Sequence, residues 1–425
     1  MTFFRTTSTL PGASPRAVDA RRWPDVARIP HGVVASASGA VAARLFTYAV
    51  ARLPIRVVFP DGQVLGGDRR PSAPTMTVVA PQALMRRIGT AGMIGFGESY
   101  LAGEWDSSEL ARLIEQFARG VDTLVPRPLH ALRSVVLRRQ PRADRPDRAH
   151  SQSNVTRHYD LSNELFASFL DPTMTYSSAL FGGEADDLAT AQRRKMDRLL
   201  DETAVAAGSR VLEIGSGWGG SALRAARRGA TVRSITLSER QQQWANAMLA
   251  EEGVAGAAHV ELCDYRDVTG TYDAVVSAEM IEAVGLEFLD TYFATIASVL
   301  RPGGRAAIQA IVMPHRRALE TQRTYTWIHK YIFPGGALPS VRLITESAGR
   351  AGLRLTGELP MGDSYVRTLD DWARRFAESA SHVEALGFDA TFRRMWDFYL
   401  RYSEGGFRAG YLDVRQLTFV REDCA

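Results

Sequence analysis

Residues 210–238, "RVLEIGSGWGGSALRAARRGATVRSITLS", restrict this chain more than any other stretch. Val211–Ile214 is an apolar run of strand length, glycines follow at 215, 217 and 219, and a helical pattern then leads to a second β-branched run. Glycine permits positive φ and lets a ligand come close to the main chain. In an open parallel sheet such a turn lies at the carboxyl end of a strand, where ligands bind. A tight strand–helix turn with no ligand would also use glycines. Three details go further. Glu213 sits inside the strand, where a buried carboxylate needs a partner. The G-x-G-x-G spacing departs from the dinucleotide fingerprint G-x-G-x-x-G. The second strand ends in "TLS" rather than in an acid that would hold a ribose.

The surroundings of this turn fix the fold class. "AQRRKMDRLLDETAV" predicts a helix before it, and "YDAVVSAEMI" and "GGRAAIQAIVM" predict buried strands after it. Strands alternating with helices imply a doubly wound, mostly parallel α/β sheet. A chain of 425 residues suggests two domains. Residues 1–22 read as a flexible lead-in, 23–137 as a small α+β domain, 138–153 as a basic linker and 154–425 as the sheet domain. Within the first domain "IRVVFPDGQVLGG" carries a hairpin signature, "PTMTVVAP" a strand, and "DSSELARLIEQFARGV" a helix capped by Asp106 or a following serine.

Net charge is only +4, but residues 127–148 hold seven Arg against two Asp. Such a block is either a solvated linker or a contact for an anionic partner, membrane phosphate or nucleic acid. Two cysteines make neither a disulfide framework nor a metal cluster, which fits a reducing cytosol. The N-terminus has no apolar signal core, and no run of 18 apolar residues occurs; a soluble, cytoplasmic protein is expected. "MTYSSALF" (174–181) is odd, because its four hydroxyls are costly to bury unless each is partnered. It is therefore a polar surface turn or part of a site.

The glycine turn resembles motif I of class I S-adenosylmethionine-dependent methyltransferases. "HYDLSNELFASFLDPTMTYSSALF", "AQRRKMDRLLDE", "TLSERQQQWA", "CDYRD", "MIEAVG", "WIHKYIFPGGALPS" and "FRAGYLDVRQLTFVRE" resemble the cyclopropane-fatty-acid synthases and mycolic-acid methyltransferases. Within that family, "IGFGESYLAGEW" and "SAEMIEAVG" most resemble actinobacterial fatty-acid methyltransferases that make 10-methylene stearoyl lipid, the precursor of tuberculostearic acid. The resemblance implies a seven-stranded, Rossmann-like sheet with a helical cap. It implies S-adenosylmethionine as cofactor, held by Tyr176, Ser177, Glu213, Gly215, Gly217, Thr236, Gln241, Asp264, Tyr265 and Arg266. It also implies a bound bicarbonate as base, held by Ser178, Glu282, Gln309, the backbone of Ile311 and Tyr365; no metal is expected. Ser178 stands where the family commonly has Cys, and Gln309 where it has His.

The implied reaction methylates the double bond of an unsaturated acyl chain, such as oleoyl in phospholipid of an anionic membrane. It passes through a carbocation that either closes to a cyclopropane or, after a hydride shift, loses a proton to give an exocyclic methylene. The altered residues at 178 and 309 are expected to favour methylene. The resemblance further implies peripheral attachment to the inner membrane face, a separate flavin- or NADPH-dependent reductase as partner, no nucleic acid, and room for a homodimer. A plain cyclopropane synthase, a small-molecule methyltransferase and a non-catalytic lipid-binding relative are the alternatives. Read singly, Glu282 is also a helix cap, Tyr176 and Tyr365 core aromatics, and Lys330 a surface charge; His158 and Tyr159 suit a lid over the cofactor.

Overall fold

The computed structural model describes residues 16–66, 72–122, 161–322 and 324–422. The chain forms two compact units. The first takes Met1–Arg138 together with Tyr325–Tyr331 and Ala380–Tyr411, and the second takes the remainder. The expected sheet domain 154–425 is therefore not one continuous unit: two of its segments belong with the N-terminal region. The basic 138–153 linker and the 127–148 arginines fall outside the described residues, as do His158 and Tyr159.

After a single helical turn at Pro24–Ala27, the first unit has helix α1 (Val33–Val50), followed by strands β1 (Arg56–Val58), β2 (Val64–Gly66) and β3 (Thr75–Val78), helix α2 (Pro81–Leu101), strand β4 (Trp105–Asp106) and helix α3 (Leu110–Arg119). The Pro-Asp-Gly turn closes β1 and β2 into the expected antiparallel hairpin, while β3 joins β1 in parallel. Asp106 lies in β4, and no side chain caps α3; Ser107 Oγ instead accepts from Glu109 N–H at 3.2 Å, one residue before the helix. The reason for the split is apolar. Phe392, Trp396, Phe398 and Leu400 of the Ala390–Arg408 helix are buried, and a Cβ on Gly405 would come within 2.7 Å of Ile114.

Lys330 is not a surface charge. It forms ion pairs with Glu98 (2.5 Å) and Asp25 (2.7 Å). Helix α1 has a mean hydropathy of 1.4, enough by length and composition to cross a membrane although Ser36, Ser38 and Arg44 interrupt it. Its Val33 and Val34 are 87% and 83% exposed.

The second unit holds helix α4 (Leu188–Glu202), β5 (Arg210–Ile214), α5 (Gly220–Arg227), β6 (Thr231–Thr236), α6 (Glu239–Glu251), β7 (Ala258–Leu262), β8 (Tyr272–Ala278), α7 (Leu289–Val299), β9 (Leu300–Val312), α8 (Val341–Arg350), β10 (Leu353–Pro360), α9 (Gly362–Glu378) and β11 (Asp413–Arg421). The seven strands order as β10-β11-β9-β8-β5-β6-β7. Strands β7, β6, β5, β8 and β9 pair in parallel, and β11 runs antiparallel to both β9 and β10. The strand order reverses direction at β5 and β8, so the crevice beyond their carboxyl ends is the place for a ligand. Strands buried on both faces, such as "VLEI" and "AVVSA", read as continuous apolar runs for that reason.

Candidate active site

The carboxyl end of β5 delivers the glycine turn. Gly215, Gly217 and Gly219 take φ of 90°, 50° and 92°, conformations that side chains resist. Among the described residues a Cβ at Gly217 would meet nothing within 4 Å, so their side chains leave the main chain there open. Beside it, at the end of β6, Thr236 Oγ1 donates to Gln241 Oε1 at 3.0 Å. At the end of β7, Asp264 pairs with Arg266 at 2.6 Å, and the Tyr265 ring packs edge-on against Tyr292. Three adjacent strand ends thus bring Gly215, Gly217, Thr236, Gln241, Asp264, Tyr265 and Arg266 to one edge of the sheet.

Glu213 lies deeper. It is buried, its carboxylate accepts from Ser234 Oγ at 2.5 Å, and burial pushes its pKa up to about 7 against the pull of the Ser234 and Ser221 hydroxyls and of Lys195. Its partner on β6 is the register neighbour Ser234. Glu213 therefore ties the two strands together beneath the turn.

The "MTYSSALF" run is no surface turn. Ser177 and Ser178 are buried, and the Tyr176 ring sits among Phe166, Phe169 and Trp372. The segment reaches the glycine turn, since a Cβ at Gly220 would lie 3.3 Å from Thr173 O and from Thr175 Oγ1. Helix α4 supplies its polar partners. Lys195 Nζ donates to Ser177 Oγ at 2.5 Å, and Gln192 Nε2 donates to the Ser177 carbonyl at 2.8 Å. Both residues are fully buried on the helix face that carries Met196, Leu199 and Leu200. Burial lowers the Lys195 pKa to about 8, held from falling further by Glu279, Asp171 and Glu213.

The residues expected around an anion at β8 and β9 do come together, but they meet a carboxylate that sequence reasoning missed. Glu279, the residue after β8, has φ 51°. Its Oε1 accepts from Ser178 N–H at 2.8 Å and from Gln309 Nε2 at 2.7 Å, and its Oε2 accepts from Tyr365 OH at 2.7 Å. Gln309 is fixed in turn by Gln416, whose Nε2 donates to Gln309 Oε1 at 3.0 Å. The Ser178 hydroxyl takes no part in this cluster, because it donates to the Ala179 carbonyl at 3.0 Å.

Glu282 and Ile311 form a separate pair, with Ile311 N–H donating to Glu282 Oε1 and Oε2 buried without a partner among the described residues. Burial and the neighbouring Glu279 charge push the Glu282 pKa up to about 8. Burial also raises Glu279, opposed by Lys195 and by its three hydrogen bonds. Met280, between the two carboxylates, closes on the glycine turn: a Cβ at Gly215 would lie 3.2 Å from its side chain. Among the described residues no group of His, Cys, Asp and Glu is arranged for a metal ion.

A seven-stranded sheet with β11 reversed, a glycine turn after its first strand and polar side chains on the next two strand ends define a class I methyltransferase that uses S-adenosylmethionine. The chain belongs to the family described as mycolic acid cyclopropane synthetase, whose model matches residues 147–417. It is 50% identical over 424 residues to the tuberculostearic acid methyltransferase UfaA1 of Mycobacterium tuberculosis, covering 98% of each chain. It is 33% identical over 354 residues to the cyclopropane-fatty-acyl-phospholipid synthase of Escherichia coli, covering 82% of this chain and 89% of that one. Among solved structures it resembles the mycolic acid cyclopropane synthase CmaA1 complexed with SAH and CTAB (TM-score 0.59, 29% identity, 66% of this chain and 99% of that one). The expected fold, enzyme class and cofactor are thereby borne out.

Proposed function

We propose that this methyltransferase methylates the double bond of an unsaturated acyl chain, oleoyl in phospholipid being the expected substrate, and releases a 10-methylene acyl product. One observation carries the reading: two buried carboxylates, Glu279 and Glu282, flank the residue that closes on the glycine turn. Methylating a carbon–carbon double bond makes a cation that must lose a proton, so a base is needed beside the methyl donor. The identity to UfaA1 over nearly the whole chain supports the same product class.

S-adenosylmethionine, when bound, supplies an electrophilic methyl group on sulfur. The open main chain at Gly217, the buried Thr236 and Gln241 and the half-buried Asp264, Tyr265 and Arg266 fit such a ligand. In this reading Gly215 and Gly217 receive it through the backbone, Thr236, Gln241, Asp264, Tyr265 and Arg266 line its ribose and adenine side, and Tyr176 and Ser177 close the other side. Glu213 acts from beneath, by holding β5 against β6. The aromatic cluster around Tyr176 excludes water that would quench the cation.

The exposed Val33 and Val34 on α1 favour a lipid surface as the source of substrate. We infer that the enzyme works at the inner face of the membrane and that a separate flavin- or NADPH-dependent reductase consumes the methylene product. Expression in a host rich in oleoyl phospholipid, followed by gas chromatography of its fatty acyl esters, tests the assignment. The expected result is a 10-methylene ester. A cyclopropane ester would instead support the alternative favoured by the likeness to the Escherichia coli synthase.

A further inference from the structure

The anion pocket and bicarbonate do not fit each other here. The groups assigned to it are already committed to protein carboxylates: Ser178 N–H, Gln309 Nε2 and Tyr365 OH all end on Glu279, and Ile311 N–H ends on Glu282. A bicarbonate among them would have to displace Glu279 and face two carboxylates, and like charges in one buried site repel strongly. The backbone bears this out independently. A non-glycine residue at φ 51° is a costly conformation, and it persists only where its surroundings hold it. The cluster of donors supplies that hold, with Glu279 N–H donating to the Gln309 carbonyl at 2.8 Å as a fourth tie.

We propose that Glu279 is the base of the reaction, a carboxylate of the chain itself standing where a free anion would otherwise be bound. This rests on the acyl-methylation reading above. The alkene π pair forms the bond to the incoming methyl carbon and leaves a cation on the neighbouring carbon. A hydride shift then moves the positive charge to the carbon that bears the new methyl. One C–H bond of that methyl breaks, its electron pair becomes the exocyclic double bond, and the proton goes to a Glu279 carboxylate oxygen. The acid so formed returns the proton to solvent before the next turnover. Tyr365, Gln309 and the Ser178 amide hold the carboxylate in position, and Lys195 supplies the nearby positive charge. Glu282, which accepts from Ile311 N–H and lies next to the Glu279 charge, is the carboxyl that stays protonated. Two carboxyls three residues apart thus take different states because their hydrogen-bond environments differ.

The test uses the purified full chain with S-adenosylmethionine and oleoyl phospholipid vesicles, in carbon-dioxide-free buffer and with added bicarbonate. Glu279→Gly suits the positive φ and empties the pocket; Glu279→Gln keeps the shape and removes the base. The wild type is expected to turn over equally in both buffers. Glu279→Gly should lose about 100-fold or more without bicarbonate and recover on its addition, whereas Glu279→Gln should lose as much and not recover. Calorimetry with S-adenosylhomocysteine should give the same affinity for all three. A wild type that depends on bicarbonate, or a Glu279→Gly variant that keeps its rate without it, overturns the proposal.

A readout independent of turnover is the carbon-13 line width of labelled bicarbonate, which should broaden with Glu279→Gly and stay sharp with the wild type. Broadening by the wild type also overturns it. If no protein methylates oleoyl lipid, the acyl reading falls, while the line widths still decide whether Glu279 excludes the anion.

Discussion

At the ends of β5 and β6 the chain presents main chain: glycines at positive φ, open space above Gly217, and side chains that mostly bond one another. At the ends of β8 and β9, across Met280, it presents side chains: one carboxylate ringed by three donors and a second with a bare oxygen. Both edges belong to one crevice, yet they answer different demands. A cofactor common to many methyltransferases is met by backbone geometry, which any side chain would spoil. A proton that must leave one particular cation is met by a titratable group, whose environment can be tuned residue by residue.

The largest expected effect breaks the side-chain edge from behind. Lys195→Met removes the buried charge facing Glu279, Glu213 and Asp171, and should cost about 3–5 kcal/mol in urea unfolding at pH 7. A loss near zero would mean the lysine is neutral in the fold. Next, Gly217→Val forces a β-branched residue into the left-handed region at a strain of about 1–2 kcal/mol. It should also weaken S-adenosylhomocysteine by at least about tenfold in calorimetry. Gly253→Val is the control: φ there is 71°, also with open space around it, so it should strain the fold equally and leave binding alone.

A smaller effect separates the two carboxyls by pH. The folded pKa of Glu282, about 8, lies above its ordinary value of 4.5. Between these values the native state holds a proton that the unfolded chain has released, so stability falls as pH rises through that window. Glu282→Gln should flatten this fall in thermal melts taken from pH 5 to pH 8; an unchanged slope would remove Glu282 as its source. The smallest effect is expected from Ser178→Cys, whose altered atom hydrogen-bonds the Ala179 carbonyl rather than Glu279, and the product ratio by gas chromatography should hold. Gln309→His, which breaks contacts to both Glu279 and Gln416, should change it more.

The two edges also differed in how far the sequence revealed them. The glycine turn was legible because its requirement is local: strand, glycines and helix follow one another within 20 residues, and the expected sheet formed around them. The polar strand ends followed by family likeness. The carboxylate edge was not local. "SAEMIEAVG" offers two glutamates, and only the folded sheet, which brings positions 178, 309 and 365 together, tells Glu279 from Glu282. At Ser178 it is the amide rather than the hydroxyl that reaches the cluster, which residue type alone could not show. Lys195 was nearer to view. With Gln192, Met196, Leu199 and Leu200 it falls at the three-and-four spacing of the buried face of α4, where a lysine and a glutamine are out of place.

The division of the chain has a consequence for its biosynthesis. Most of the first unit precedes the sheet unit in the chain, but its Ala390–Arg408 helix is made after most of the sheet unit. At about 5–20 residues per second, α3 emerges some 15–60 s before the partner that covers Leu113 and Ile114. During that interval the nascent chain shows apolar surface that the finished protein hides. The sheet unit, whose closing strand β11 follows directly after, is completed at nearly the same moment. The two units are thus completed close together during translation, and a ribosome that stalls before residue 390 leaves both unfinished.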